Sequence, residues 1–183
     1  MSTKYYNVNE FQQLDNSDNL NIFHSNVNSL EPKLDILSDF LAGSKSELDI
    51  IGITETSEQN DTSFISNVSL PGYTLFHTPT NTRNGGTALY VKSIYNPFER
   101  FDLKTQVDMF EGVWIEISNK NSKNVLCGCI YRHPNYDLTD FFVYMENVLK
   151  KAANEDKNIY VCGDFNIDLL KINEKKKHLE TSL

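Results

Sequence analysis

Hydrophobic and polar residues follow one another along the chain in segments that predict short strands and two longer helices. Short apolar runs typical of buried strands cover residues 20–24, 49–54 and 159–162. Between the first two runs, apolar residues recur at helical spacing from Leu30 to Leu41, with Ser29 as the predicted N-cap and Gly43 just past the end. The pattern therefore predicts a strand, a loop and an amphipathic helix that leads to a second strand.

Two further pairs of strand-like segments predict β-hairpins. The pairs are residues 73–77 with 87–92, and residues 112–118 with 124–132. In the first pair, the connection includes Gly85 and Gly86, which accept the positive φ angles of a tight turn. A second amphipathic helix is predicted over residues 138–152, before the strand that begins at residue 158. Hairpins with two crossover helices predict an α+β sandwich in which sheet packs on sheet and the helices lie outside.

The two ends of the chain and one internal stretch lack a clear period. Residues 1–18 are polar and rich in Asn, so they are interpreted as a loose lead-in to one domain that spans residues 19–183. Residues 56–70 are polar and predict a loop with short turns. Near the C-terminus, Leu179 and Leu183 are spaced as on a helix, so the chain is expected to stop within a helix.

Composition narrows the classes of function. The chain has 183 residues, 39% of them hydrophobic, which suffices for one domain with a buried core. Its net charge of -8 argues against broad binding to nucleic acid or anionic membrane, so any contact with DNA is expected to be local or assisted by a cation. With no signal peptide or membrane span in the sequence, a nuclear or cytoplasmic location is expected. The cysteines Cys127, Cys129 and Cys162 are interpreted as reduced and buried.

Polar side chains follow two of the predicted buried strands. Asp164 and Asn166 lie two positions apart at the end of the strand that begins at residue 158, so they point to one face while Phe165 points into packing. Glu55 likewise follows the strand over residues 49–54. A carboxylate and an amide presented together suit metal-assisted or water-activating chemistry on a phosphate. Taken singly, a polar residue after a strand is more often a turn residue or a helix cap.

Taken in order, these strand ends form a set of motifs spread over nearly the whole chain. The motifs are residues 26–30, beginning at Asn26, residues 49–56 with Glu55, residues 85–91, residues 129–135 with Tyr131, and Gly163-Asp164-Phe165-Asn166. The set resembles the endonuclease/exonuclease/phosphatase superfamily, and within it the endonuclease domain of non-LTR (LINE-type) retrotransposons. This resemblance implies a four-layer αββα sandwich of the DNase I type, truncated so that its C-terminal strands are missing.

The resemblance also implies roles for individual residues. Glu55 is expected to be the main ligand of Mg²⁺, or of Mn²⁺ as an alternative, because these cations prefer hard oxygen donors. Asn26 would contact the metal shell or the phosphate. Asp164 would position or deprotonate the attacking water, and Asn166 would steady that water or hold the phosphate. The Tyr131 hydroxyl would donate a hydrogen bond to a phosphate oxygen.

Other polar and aromatic residues match no catalytic role in this family. Arg132 is left open between a contact to a backbone phosphate and a surface salt bridge. Trp114 alternates with its strand and is expected in the core. The histidines are expected at partly exposed positions on the surface, namely His24, His77, His133 and His178.

The activity that the resemblance implies is nicking of DNA by Mg²⁺-dependent hydrolysis of a phosphodiester bond, which leaves a 3′ hydroxyl that primes reverse transcription. DNA and the reverse transcriptase part of the same element are the implied partners. The Ser-Asp-His motif of the family does not occur in this sequence, which implies a fragment with impaired activity. Two alternatives stay open: a non-catalytic remnant of a retrotransposon protein, and a phosphatase or lipid phosphodiesterase on the same fold.

Overall fold

Two β-sheets form the centre of the computed structural model, which describes residues 4–15, 19–58, 63–82, 84–120 and 122–168. In chain order, the strands are β1 (Ile22–Asn26), β2 (Ile50–Thr54), β3 (Tyr73–Thr78), β4 (Thr87–Lys92), β5 (Phe98–Glu99), β6 (Thr105–Val107), β7 (Phe110–Ile117), β8 (Val125–Arg132) and β9 (Asn158–Asp164). The helices are α1 (Val8–Gln12), α2 (Leu34–Ala42), α3 (Phe64–Asn67) and α4 (Leu138–Asn154), with short 3-10 turns at Glu31–Lys33 and Ser93–Tyr95.

The first sheet has the strand order β1-β2-β4-β3. Strands β1 and β2 are parallel, as their connection through α2 requires, whereas β3 and β4 form the predicted antiparallel hairpin. In the β1–β2 register Asn26 is the partner of Thr54. The end of β1 therefore lies beside the residue that follows β2, which is Glu55.

The second sheet has the order β5-β7-β8-β9, with β6 also paired to β7. Strands β7 and β8 form the second predicted hairpin, and β8 runs parallel to β9 because α4 connects them. The β8–β9 register places Tyr131 beside Asp164. Each sheet thus presents two neighbouring residues of the predicted site at the end of a parallel strand pair.

Three hydrophobic clusters hold four layers together, and they confirm the predicted α+β sandwich. Leu37 of α2 packs on the outer face of the first sheet. Between the sheets, Leu89 of β4 packs in one cluster with Val113 of β7. Phe141 and Val148 of α4 pack on the outer face of the second sheet. Across the described residues, no helix is both long enough and apolar enough to cross a lipid bilayer.

Trp114 and the three cysteines are core residues, in line with the sequence. Trp114 is fully buried, and its indole Nε1 donates a hydrogen bond to the Tyr144 hydroxyl at 2.9 Å. Cys127 and Cys129 are buried, Cys162 is half-buried, and all three are free thiols that face the space between the sheets.

The N-terminal segment differs from the loose lead-in that its polar sequence suggested. Within residues 1–18, α1 forms because Asn7 and Glu10 make a capping box in which each side chain accepts from the other residue's main-chain N–H, at 3.0 and 2.9 Å. Phe11 then stacks on Phe40, with ring centroids 5.7 Å apart. One aromatic anchor and one cap define a helix of five residues, which is too short to show a hydrophobic period.

Other local predictions were wrong at their boundaries. The helix predicted from Leu30 begins with the 3-10 turn and becomes α2 only at Leu34, and Ser29 is not its cap, since Ser29 has a φ of 78°. Helix α3 lies within the predicted loop of residues 56–70, and the short strands β5 and β6 were not predicted. The helix expected around residues 179–183 lies outside the described residues.

Candidate active site

Three of the predicted site residues meet in direct hydrogen bonds at one end of the sandwich. Asn26 ends β1 in the first sheet, and Glu55 follows β2 beside it. Asp164 ends β9 in the second sheet. The Asn26 amide nitrogen, Nδ2, donates to Glu55 Oε1 at 2.8 Å and to Asp164 Oδ2 at 2.8 Å. The Asn26 amide therefore joins two carboxylates that come from opposite sheets.

The Tyr131 hydroxyl belongs to the same cluster. Tyr131 is 3% exposed, and its hydroxyl is close enough to the Glu55 carboxylate to interact with it. Burial raises the pKa of Tyr131 to about 12, and the negative charges of Glu55 and Asp164 add to this shift. Tyr131 is thus a protonated phenol at neutral pH, and it can act only as a neutral hydrogen-bond donor.

The main chain at this site adopts conformations that non-glycine residues rarely take. Glu55 has a φ of 57°. Its carbonyl accepts from Ser29 N at 2.7 Å, and the next two amides donate to the carbonyls of Gly86 and Gly85, at 3.4 and 2.9 Å. Such conformations cluster at functional sites, where surrounding bonds enforce them. The residues near the site that share a positive φ are Asn28, Ser29, Glu55, Ser57 and Asn166.

Lys33 fixes the loop that follows β1, a role for which no sequence pattern provided a signal. Its Nζ donates to the main-chain carbonyls of Val27 and Asn28, the latter at 2.6 Å. The Asn28 N–H in turn donates to Asn26 Oδ1 at 3.2 Å. The orientation of the Asn26 amide is therefore set by its own loop as well as by the two carboxylates.

Among the described residues, Arg132 does not form the surface salt bridge that the sequence left open, and the alternative contact to a backbone phosphate stays a prediction. Its side chain is buried, with the whole residue only 3% exposed, and it forms no surface salt bridge within the described part of the chain. Its guanidinium donates to the carbonyls of Phe165 and Asn166, both at 2.7 Å. It also donates to those of His133 and Tyr136, both at 2.9 Å. Arg132 therefore clamps the segment after β9.

Asn166 lies in this clamped segment and holds Asp164 in place. Its main-chain N–H donates to Asp164 Oδ1 at 3.0 Å, and its side-chain Nδ2 donates to the Arg132 carbonyl at 2.7 Å. The amide oxygen is the part of Asn166 that is left for the predicted contact with water or phosphate. That contact stays a prediction.

His133 is a second correction, because the sequence suggested a partly exposed residue. It is 8% exposed, and its Nε2 lies 3.1 Å from Oε1 of Glu111, a carboxylate that sequence reasoning missed. The His133 ring also packs edge-on against the ring of Tyr131. A signal existed: residues 131 and 133 share one face of an extended segment. Of the other histidines, His24 and His77 are half-buried, as predicted, and His178 lies outside the described residues.

The donor set at the strand ends fits a hard divalent cation. The cluster offers oxygen atoms from two carboxylates, Glu55 and Asp164, from the amide of Asn26 and from the Tyr131 hydroxyl. Among the residues that the structure describes, no three His, Cys, Asp or Glu side chains gather into a metal site. Mg²⁺ commonly takes only one or two carboxylates and completes its shell with water and substrate phosphate. The neutral NH₂ group of Asn26 donates hydrogen bonds to both the Glu55 and the Asp164 carboxylates.

Comparison with known proteins agrees with this architecture. The family model described as endonuclease/exonuclease/phosphatase matches residues 5–172. The chain belongs to the endonuclease/exonuclease/phosphatase family. Members of this family are hydrolytic nucleases and phosphatases, so the predicted superfamily is confirmed. A search of curated proteins gave no significant match.

Several solved structures share the fold of this family member. The endonuclease domain of TRAS1, a telomere-specific non-LTR retrotransposon, matches with a TM-score of 0.61 and 15% identity over 88% of this chain and 68% of that one. The AP endonuclease LMAP from Leishmania major gives 0.59 and 15% over 80% and 54%. The 3′ phosphatase NExo from Neisseria, bound to product DNA hairpin, gives 0.54 and 16% over 85% and 62%. At these identities the likeness shows the fold, and the chain spans between about half and two thirds of each structure.

Proposed function

We propose that this chain is a metal-dependent DNA endonuclease domain that nicks DNA for target-primed reverse transcription. The observation that carries the proposal is the bridge from the Asn26 amide to Glu55 and Asp164, at 2.8 Å each, at the end of the sandwich. Membership of a family of phosphate-ester hydrolases supports the reaction class. The likeness to a retrotransposon endonuclease domain supports DNA as the substrate and the reverse transcriptase of the same element as a partner.

Each residue of the cluster has a chemical task in this proposal. Glu55 and Asn26 would hold Mg²⁺ or Mn²⁺, which supplies charge neutralisation on the scissile phosphate. Asp164 accepts a proton from the attacking water, and the Asn166 N–H on its Oδ1 fixes the carboxylate for this transfer. The water oxygen bonds to phosphorus, the bond from phosphorus to the 3′ oxygen breaks, and that oxygen takes a proton from solvent to become a 3′ hydroxyl. Tyr131, protonated at neutral pH, donates to a phosphate oxygen.

A nicking assay on supercoiled plasmid with Mg²⁺ or Mn²⁺ tests the proposal. The wild-type chain is expected to produce open-circular plasmid at a reduced rate, because the Ser-Asp-His motif of the family does not occur in this sequence. Glu55→Gln and Asp164→Asn are expected to lower the rate about 100-fold or more, since a cation ligand or a general base is removed. Glu146→Gln is the matched control, because Glu146 is an exposed residue of α4 that pairs with Lys150. A wild-type chain that leaves the plasmid supercoiled with both metals would contradict the proposal.

The same fold also carries phosphatases, so a second substrate separates the two activities. An oligonucleotide with a 3′ phosphate is incubated under the same conditions. Release of inorganic phosphate without any nicking, lost in Glu55→Gln, moves the assignment to a phosphatase. Absence of both activities in the wild-type chain favours a non-catalytic remnant of a retrotransposon protein.

A further inference from the structure

A buried carboxylate–imidazole pair lies next to the site and has no task in the reaction above. Glu111 is 1% exposed and His133 is 8% exposed, and Glu111 Oε1 lies 3.1 Å from His133 Nε2. The other carboxylate oxygen, Oε2, is buried without a hydrogen-bond partner among the described residues. A buried polar atom without a partner destabilises the fold, so its presence at a site calls for a functional explanation.

Both members of the pair contact Tyr131. Glu111 on β7 is the register partner of Tyr131 on β8, so their side chains lie side by side on the inner face of the sheet. The His133 ring meets the Tyr131 ring edge-on, with centroids 4.8 Å apart and an angle of 84°. The Tyr131 ring is therefore held by the pair at one side, while its hydroxyl lies near Glu55 at the other.

The pair also supports the segment that carries Glu55. A Cβ at Gly85 would lie 2.9 Å from His133 Cε1 and 3.0 Å from Glu111 Oε1, so the turn packs directly on the pair. The carbonyl of Gly85 accepts from Ser57 N at 2.9 Å, two residues after Glu55. Movement of the pair would thus reach Glu55 through the turn as well as through Tyr131.

We propose that Glu111 and His133 are positioning residues that hold the Tyr131 hydroxyl beside Glu55, and this role rests on the proposed function. His133 donates its Nε2–H to Glu111, which sets the plane of the imidazole. The imidazole edge then sets the tilt of the Tyr131 ring. The arrangement is chemically similar to the carboxylate–histidine pairs that orient ligands around metal sites, where loss of an outer partner typically costs about 10- to 100-fold in metal affinity or activity.

A double-mutant cycle tests whether the pair acts through Tyr131. Glu111→Leu removes the acceptor, and it also removes the unpartnered oxygen. In the wild-type background it is expected to lower kcat about 10- to 100-fold with a smaller change in KM. In a Tyr131→Phe background the same substitution is expected to change kcat less than about 2-fold, because coupled residues are not additive. If the fold-losses in kcat of Glu111→Leu and Tyr131→Phe multiply in the double variant, the proposal is wrong.

His133→Phe is the second variant, since it keeps an aromatic ring but cannot hydrogen-bond to Glu111. The effects of His133→Phe and Tyr131→Phe on kcat are likewise expected not to multiply when the two substitutions are combined. Glu116→Gln is the matched control, because Glu116 is a buried carboxylate on the same strand whose partners are Arg100 and Lys157. It is expected to leave kcat unchanged, and circular dichroism verifies that each variant is folded.

Calorimetric titration with Mn²⁺ gives a readout that does not depend on turnover. Glu111→Leu and Tyr131→Phe are each expected to weaken Mn²⁺ binding about 10-fold, with the double variant no weaker than Tyr131→Phe alone. If the wild-type chain binds Mn²⁺ through Glu55 but does not nick DNA, the proposed function is wrong. The coupling between Glu111 and Tyr131 can still be measured in that case. Independent effects on Mn²⁺ affinity contradict the positioning role whether or not the chain nicks DNA.

Discussion

The Arg132 guanidinium links the two strand ends that carry Tyr131 and Asp164. Because it donates to four main-chain carbonyls, its removal leaves one buried and three partly buried hydrogen bonds without their donor. Arg132→Ala is expected to lower the free energy of unfolding by roughly 3 kcal/mol or more, as measured by urea denaturation. Arg132→Lys should recover only a small part of the lost free energy of unfolding, since an ammonium group lacks the planar guanidinium fork that reaches four carbonyls.

Lys150→Ala serves as the control for the loss of a basic side chain. Lys150 is exposed on α4 and pairs with Glu146, so the change is expected to be below about 0.5 kcal/mol. An Arg132→Ala protein with wild-type stability and weakened DNA binding would contradict the clamp. That result would instead support the phosphate contact that the sequence left open.

Arg132 and His133 show where sequence reasoning stops for single residues. Asn26, Glu55, Tyr131 and Asp164 could be proposed because each marks the end of a recognisable strand. The burial of Arg132 depends on a segment more than 30 positions away, and its hydrogen bonds reach main-chain carbonyls that have no residue signature. Polar side chains at a strand end and in the following loop therefore predicted exposure, whereas long-range contacts bury both residues.

Among the strands, β9 depends on one glycine at its end. Gly163 has a φ of 148°, and a Cβ there would lie 1.9 Å from the carbonyl oxygen of Ile130 on β8. Gly163→Ala must therefore separate β8 from β9 and displace Asp164. It is expected to lower the free energy of unfolding by about 3 kcal/mol or more in urea denaturation, from strain and overpacking together.

Gly72→Ala is the matched control for the strain that a positive φ alone imposes on an alanine. Gly72 has a φ of 82°, but nothing lies within 4 Å of a Cβ built on it. The expected loss is about 1–2 kcal/mol, the cost of the left-handed region for an L-residue. Equal losses in the two alanine variants would show that close approach of the strands at Gly163 does not matter.

Length decided which elements the sequence could predict. The eight-residue strands β7 and β8 and the 17-residue helix α4 each contain several periods of their pattern, so their types were predicted correctly. The missed strands β5 and β6 have only two and three residues. They form because β7 offers an edge for pairing, which is tertiary information that a local pattern does not carry.

The position of the site follows from how the two sheets are joined. Each sheet contains one parallel strand pair connected by a crossover helix, so the carboxyl ends of each pair lie at one edge. The hydrogen bond from Asn26 to Asp164 shows that these two edges meet. Periodicity predicted the strands, but the meeting of the edges was expected only from the resemblance to the superfamily, since it depends on how one sheet is rotated against the other.

For the whole molecule, charge determines how it can approach DNA. The net charge is -8, and most of the described lysines and arginines already pair with acidic side chains or main-chain carbonyls. Within the described ranges, few basic groups are therefore left to bind phosphates, and the cation proposed at Glu55 is expected to offset the repulsion. Mg²⁺ is expected to tighten duplex binding by Asp164→Asn at least about 10-fold in fluorescence anisotropy, about 1.4 kcal/mol.

Addition of Glu55→Gln to Asp164→Asn is expected to abolish this effect of Mg²⁺, because the main cation ligand is lost. The salt dependence gives an independent measurement. With few Lys and Arg contacts to phosphate, the logarithm of the DNA association constant should fall with the logarithm of the salt concentration with a slope shallower than about -2. A slope near -5, unchanged by removal of Mg²⁺, would show a broad basic surface and contradict cation-assisted binding. DNA recognition by this acidic chain would then depend on side chains other than those that converge on Glu55 and Asp164.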